Sequence, residues 1–216
     1  MKKIFLILGN DKENLYGSRN DAILIYNFIY NYFINNSDWY KPIMLLDDNI
    51  NLKNLNKIKN LKIDKIYFYF SGHSNIKGKV KFNNNFLSCK SILKHLGKIN
   101  KCKDIFFILD SCYGEYFKEN NKNFNNIYFL SASNKDQLSK EILTNYDEKK
   151  YSYIKPNILK KNVIHGIFTY NLHKFLNKIN FNDFNSWKEI LNNPIWTVVE
   201  IQCNQTINFN FFSNHK

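Results

Sequence analysis

The sequence predicts an α/β domain: a three-layer α/β/α sandwich around a mostly parallel central sheet. Four short runs, "IFLIL" (4–8), "IYFYF" (66–70), "IFFIL" (105–109) and "IYFLS" (127–131), are nearly continuous in aromatic and β-branched residues. That pattern belongs to strands buried on both faces. Helix-like stretches separate the runs, and strand alternating with helix gives a parallel sheet covered by helices. Of 216 residues, 44% are hydrophobic and 17% aromatic, enough for a packed core, and the seven glycines and three prolines form no linker. One domain over residues 1–216 is expected.

The elements follow in order. The run at 4–8 sits behind two lysines, a faint imitation of a signal peptide. It is too short for one and lacks a small-residue cleavage site, so it reads as a first core strand. Residues 20–33 carry apolar side chains at 22, 23, 25, 26, 29 and 33, an amphipathic helix with Asp21 in its first turn. Leu52, Leu55, Ile58 and Leu61 form another helical face. Residues 88–99 are a third helix, with Ser88 as N-cap and Gly97 near its end. Residues 165–179 are a fourth. The polar stretch 134–162 reads as a flexible loop.

The net charge of +13 comes almost wholly from lysine spread along the chain; Arg19 is the only arginine. Nucleic-acid readers rely on arginine for bidentate contacts, so no nucleic-acid partner is expected. The cysteines, Cys89, Cys102, Cys112 and Cys203, fit no disulfide framework, and Cys89, His95 and Cys102 lack a fourth zinc ligand. Free thiols and the absence of a membrane-length apolar segment lead to an expected cytoplasmic protein without a membrane partner.

Two strands end in chemistry. "IYFYF" runs into Ser71-Gly72-His73-Ser74, and "IFFIL" into Asp110-Ser111-Cys112-Tyr113-Gly114. Ligand sites of such sheets lie beyond the carboxyl ends of the strands. A cysteine there can attack a carbonyl, and an imidazole beside it can move the protons. Gly72 and Gly114 permit turns that aim backbone N–H groups at an oxyanion. Taken singly, Cys112 suits a small buried side chain and His73 an ordinary loop residue. The pair, on matched runs, points to catalysis.

These segments resemble the caspase-like cysteine peptidases, and the metacaspases among them. "YFYFSGHS" resembles the strand and SGHG motif of the catalytic histidine; "FFILDSCYGE" resembles the D-x-C-H-S-G segment of the nucleophile. "NLYGSRNDA" (14–22), "IYFLSASNKDQLSKE", "HGIFTYNLHKFL" and "SWKEILNNPI" are similar to further family segments in the family's order, the last to its final helix. The resemblance implies a caspase-like fold and a His73–Cys112 dyad hydrolysing peptides through an acyl-enzyme. It implies oxyanion donors at the backbone of Ser74 and Cys112. It also implies an acidic S1 pocket of Asp21 and Asp110 lined by Ser71 and Ser18, accepting protein or peptide substrates with P1 Lys or Arg.

The Lys-Lys pairs at 149–150 and 160–161 match that preference and mark a candidate for self-cleavage. The lysine-rich segment 74–93 contains no carboxylate where many metacaspases hold calcium, so no metal and no cofactor is expected. Ser74, Tyr113 and Glu115 depart from the motif, which keeps a second reading open: a weak or inactive decoy that retains the fold as a binding module. The oligomeric state is open, with a monomer favoured.

Overall fold

The computed structural model describes residues 1–12, 15–145, 162–181, 183–203 and 205–214. The four apolar runs become strands β1 (Lys3–Gly9), β3 (Lys65–Ser71), β6 (Asp104–Asp110) and β7 (Asn126–Ser131). They form the centre of a six-stranded sheet, completed by β2 (Ile43–Leu46) and β10 (Asn208–Ser213), in the order β10-β7-β6-β3-β1-β2. All neighbours run parallel except β10, which pairs antiparallel with β7 at the edge.

Alternation along the strands builds two cores, one on each face. On one face Phe5, Ile7, Tyr67, Tyr69, Phe106 and Ile108 pack against helices α1 (Ser18–Phe33), α4 (Ile167–His173), α5 (Phe184–Leu191) and α6 (Pro194–Cys203). On the other, Leu6, Phe68, Phe70, Phe107 and Leu109 pack against α2 (Leu52–Leu55), α3 (Cys89–Ile99) and a hairpin of β4 (Val80–Phe82) and β5 (Asn85–Leu87). The three-layer architecture is thus the one expected, and mostly parallel. Ser88 caps α3, accepting from the Ser91 N–H at 3.2 Å.

Several elements differ from the expectation. Leu52 to Leu61 gives one α-helical turn followed by a 3₁₀ turn at Asn56–Ile58; the leucine–isoleucine spacing of three fits three residues per turn better than 3.6. The polar stretch 134–162 is not all loop: Glu141–Asn145 forms β8, which pairs antiparallel with β9 (Asn162–Gly166). Residues 146–161, with both Lys-Lys pairs, lie outside the described residues. His165 and Gly166 therefore sit in a strand, opposite Ile142 and Glu141, and the helix begins only at Ile167. The helix at 184–191 is followed by α6 and β10 and so is not the last element.

Phe68 is fully buried, its ring 5.2 Å from that of Phe107 and 6.4 Å from that of Phe82. Phe68→Ala is expected to lower stability by about 3–5 kcal/mol. Denaturant unfolding of the two proteins measures the difference.

Candidate active site

The register of β3 and β6 positions the site. Ser71 pairs with Asp110 at the carboxyl end of both strands, so His73 and Cys112 each stand two residues past a paired position. Gly72 makes the turn on the histidine side. Its φ is 155°, its N–H donates to the Asp110 carbonyl at 3.1 Å, and a Cβ there would meet the Phe70 ring at 2.8 Å. The Ser74 hydroxyl then donates to the Cys112 carbonyl and ties the two loops together. Among the described residues, neither the Ser74 nor the Cys112 amide has a main-chain acceptor.

On the cysteine side the turn residue is Tyr113, in the left-handed region at φ 52°. Gly114 serves packing instead: a Cβ would stand 2.9 Å from that of Ser131. The loop is held by the segment after β7. The Tyr113 N–H donates to the Gln137 carbonyl at 2.8 Å and the Gly114 N–H to Ser133 Oγ at 3.0 Å; the Ser133 hydroxyl donates to the Ser111 carbonyl at 2.8 Å.

Beside Cys112 is a narrow cleft of about 30 Å³. Its lining includes Ser18, Asp21, Ser71, Asp110, Ser139 and Glu141. The structure therefore gathers the four side chains predicted for the S1 pocket next to Cys112. Asp21, in the first turn of α1, is fully buried. Its Oδ2 accepts from the Ser71 hydroxyl at 2.8 Å, its Oδ1 faces His165 Nδ1 at 2.9 Å, and the Gly166 N–H reaches both oxygens at 3.1–3.2 Å. Asp110 Oδ1 accepts from the Ser139 hydroxyl at 2.5 Å, and its Oδ2 from the Thr169 N–H and hydroxyl at 3.1 and 2.8 Å. A methyl at Gly166 would lie 2.1 Å from Asp110 Oδ2 and 3.0 Å from Asp21 Oδ2. The two carboxylates thus flank one glycine.

Burial pushes Asp21 well above the ordinary carboxylate range. The Asp110 charge adds to this, and the Ser71 and Gly166 hydrogen bonds oppose it. Burial likewise raises Asp110 against its bonds from Ser139 and Thr169, with Glu141 adding to the rise. Burial raises the partly buried Cys112 thiol too; the Ser139 backbone opposes the shift and Asp110 reinforces it. Arg19 takes no part in the pocket: its guanidinium faces Asp47 at 3.4 Å. Glu115 also turns away, accepting from Lys118 at 2.9 Å and from the Lys135 N–H at 3.3 Å.

Ser139, Glu141, His165, Gly166 and Thr169 were not foreseen as site residues. Glu141 accepts from the Gly17 N–H at 2.7 Å, capping α1 from across the cleft. All five stood in "QLSKE" and "HGIFTY", as polar or small residues inside otherwise apolar or strand-ending segments. Among the described residues no group of three His, Cys, Asp or Glu is placed to hold a metal ion, and no helix is long and apolar enough to cross a membrane.

A mostly parallel α/β/α sandwich with a cysteine and a histidine leaving adjacent strand ends is the arrangement of a caspase-like cysteine peptidase. The sequence model of the peptidase C13 family matches residues 31–165, well over half of the chain, and the chain belongs to that family. The matched span contains His73, Asp110, Cys112 and His165, while Asp21 precedes it. Comparison with curated proteins returns no match. The class of cysteine peptidase is thereby set; the metacaspase subtype rests on the motif resemblances alone.

The raised Asp110 carboxyl has a consequence for stability. Its folded pKa lies above the unfolded one, so between the two the folded chain holds a proton that the unfolded chain has released. Raising the pH through that window therefore costs stability. Wild type is expected to lose thermal stability relative to Asp110→Asn, which carries no such proton, as the pH rises from the unfolded carboxylate value of about 4 through the folded one; melting curves at several pH values test this.

Proposed function

We propose that the protein is a metacaspase-like cysteine endopeptidase that cleaves after Lys or Arg with a Cys112–His73 dyad. The observation that carries the reading is the pair of buried carboxylates, Asp21 and Asp110, flanking Gly166 in the cleft beside Cys112. An ammonium or guanidinium entering there meets opposite charge and hydrogen-bond acceptors in a site of low dielectric. A neutral P1 side chain offers no compensation for two desolvated carboxylates. The cleft has room for about one water-sized group, so the wall from Ser139 to Glu141 must move outward, and the incoming cation replaces the Ser139 hydroxyl on Asp110.

In this reading the Cys112 thiol gives its proton to His73 as sulfur attacks the peptide carbonyl carbon. The oxyanion is met by the N–H groups of Cys112 and Ser74. His73 then protonates the departing amine as the C–N bond breaks, leaving a thioester. Water, deprotonated by His73, attacks the thioester; the acid leaves and the thiol is restored. The raised thiol fits a mechanism in which proton transfer accompanies attack.

Calcium independence is part of the proposal, since segment 74–93 supplies no carboxylate. So are a cytoplasmic location and a monomer without nucleic-acid or membrane partners.

Profiling with Lys, Arg, Asn and Asp peptide substrates, with and without calcium, tests the reading. Cleavage after Lys and Arg, unchanged by a chelator and abolished in Cys112→Ala, is expected. Turnover surviving Cys112→Ala overturns the mechanism. A preference for Asp or Asn overturns the pocket assignment.

A further inference from the structure

We propose that His165 is the positioning residue that presents Asp21 to a basic P1 side chain. The proposal rests on the basic-P1 reading above and deepens it. His165 is completely buried at the end of β9, and its backbone is fixed by pairing with Ile142 in β8. Its ring stacks on Tyr170 with centroids 6.1 Å apart and directs Nδ1 to Asp21 Oδ1 at 2.9 Å. When Asp21 is ionised, Nδ1 is the nitrogen that carries the proton and donates to it. A buried imidazole against a buried carboxylate behind a substrate pocket orients the carboxylate and stabilises its ionised form.

The surroundings of Asp21 leave that work to His165. Its other donors, the Ser71 hydroxyl and the Gly166 N–H, are neutral. Asp110 from β6 and Glu141 from β8 add negative charge, and Tyr69 from β3 adds a buried phenol. Arg19, on the same helix as Asp21, is engaged with Asp47, and Lys140 lies on the cleft wall. Among the described residues hydrogen-bonded to the Asp21 carboxyl, His165 is thus the one whose side chain can carry positive charge. Without it, Asp21 keeps its proton to higher pH. A protonated carboxyl is a weaker partner for an ammonium, so P1 binding then has to displace that proton.

The test follows kcat and KM against pH for wild type, His165→Ala and His165→Asn with one Lys-P1 peptide. His165→Ala is expected to raise KM about tenfold at pH 6, the cost of one charge-assisted hydrogen bond. The deficit should shrink toward pH 9, with kcat within about twofold throughout. His165→Asn keeps an N–H donor near the Nδ1 position and should recover most of the KM at pH 8. A KM unchanged in His165→Ala overturns the proposal. So does a loss of kcat equal at every pH and not recovered by Asn, which marks a packing role alone. Melting curves show whether each variant is folded; if Ala is not, the KM–pH profile of His165→Asn decides, and a wild-type profile there overturns the proposal. Failure of the underlying reading is separate: it appears in wild type itself, as absence of preference for Lys and Arg.

Discussion

Two carboxylates buried at one sheet edge, Asp21 and Asp110, constrain everything around them. A buried carboxylate needs donors, because desolvation without hydrogen bonds costs more than the fold can bear. Ser71 comes from β3, Gly166 and His165 from β9, Thr169 from α4, and Ser139 from the segment leading into β8. The β8–β9 pair and the start of α4 are held to the cleft by polar bonds as well as by apolar packing. The chain can pass between the carboxylates only at a residue without a side chain, which is why position 166 is glycine. Pocket and scaffold are here the same set of contacts.

The same charges act on Cys112. Asp110 lies two residues before Cys112 and helps to keep its thiol protonated. Under the basic-P1 reading, a substrate cation in the cleft offsets that negative charge and removes one cause of the raised thiol. Specificity and reactivity then share one electrostatic origin: the residue that recognises P1 also restrains the nucleophile until P1 is present. This differs from a thiol held ionised at rest, and it leaves His73 to move the proton during the reaction.

How much of this was legible in the sequence depended on range. The four core strands carried their own pattern, because strands buried on both faces need continuous apolar runs. Ser88 and the α3 face were equally local. Strand β2 has only four residues, and β10 mixes Asn with Phe at a sheet edge; neither shows a distinct period. His165 and Gly166 looked like the start of a helix because Ile167 to His173 is one. Their strand character comes from pairing with β8, a partner more than twenty residues upstream. Glu141 and Thr169 bond to residues more than fifty positions away. The positions of His73 and Cys112 were readable because each follows its own strand; the donors around Asp21 and Asp110 were not, because they are assembled by tertiary structure.

The departures from the family motif also take on physical meaning. Ser74, where glycine was expected, keeps its backbone N–H and uses its hydroxyl to bind the Cys112 carbonyl, so it couples the two loops. Tyr113 occupies a left-handed conformation that favours glycine, and its N–H is anchored on the Gln137 carbonyl. Such strain next to Cys112 persists only when surrounding bonds fix it. Glu115 is turned toward Lys118 and Lys135, away from the cleft. None of the three withdraws a group that the proposed chemistry uses. The decoy reading drew its motive from these residues, and in the folded chain each has a structural role of its own.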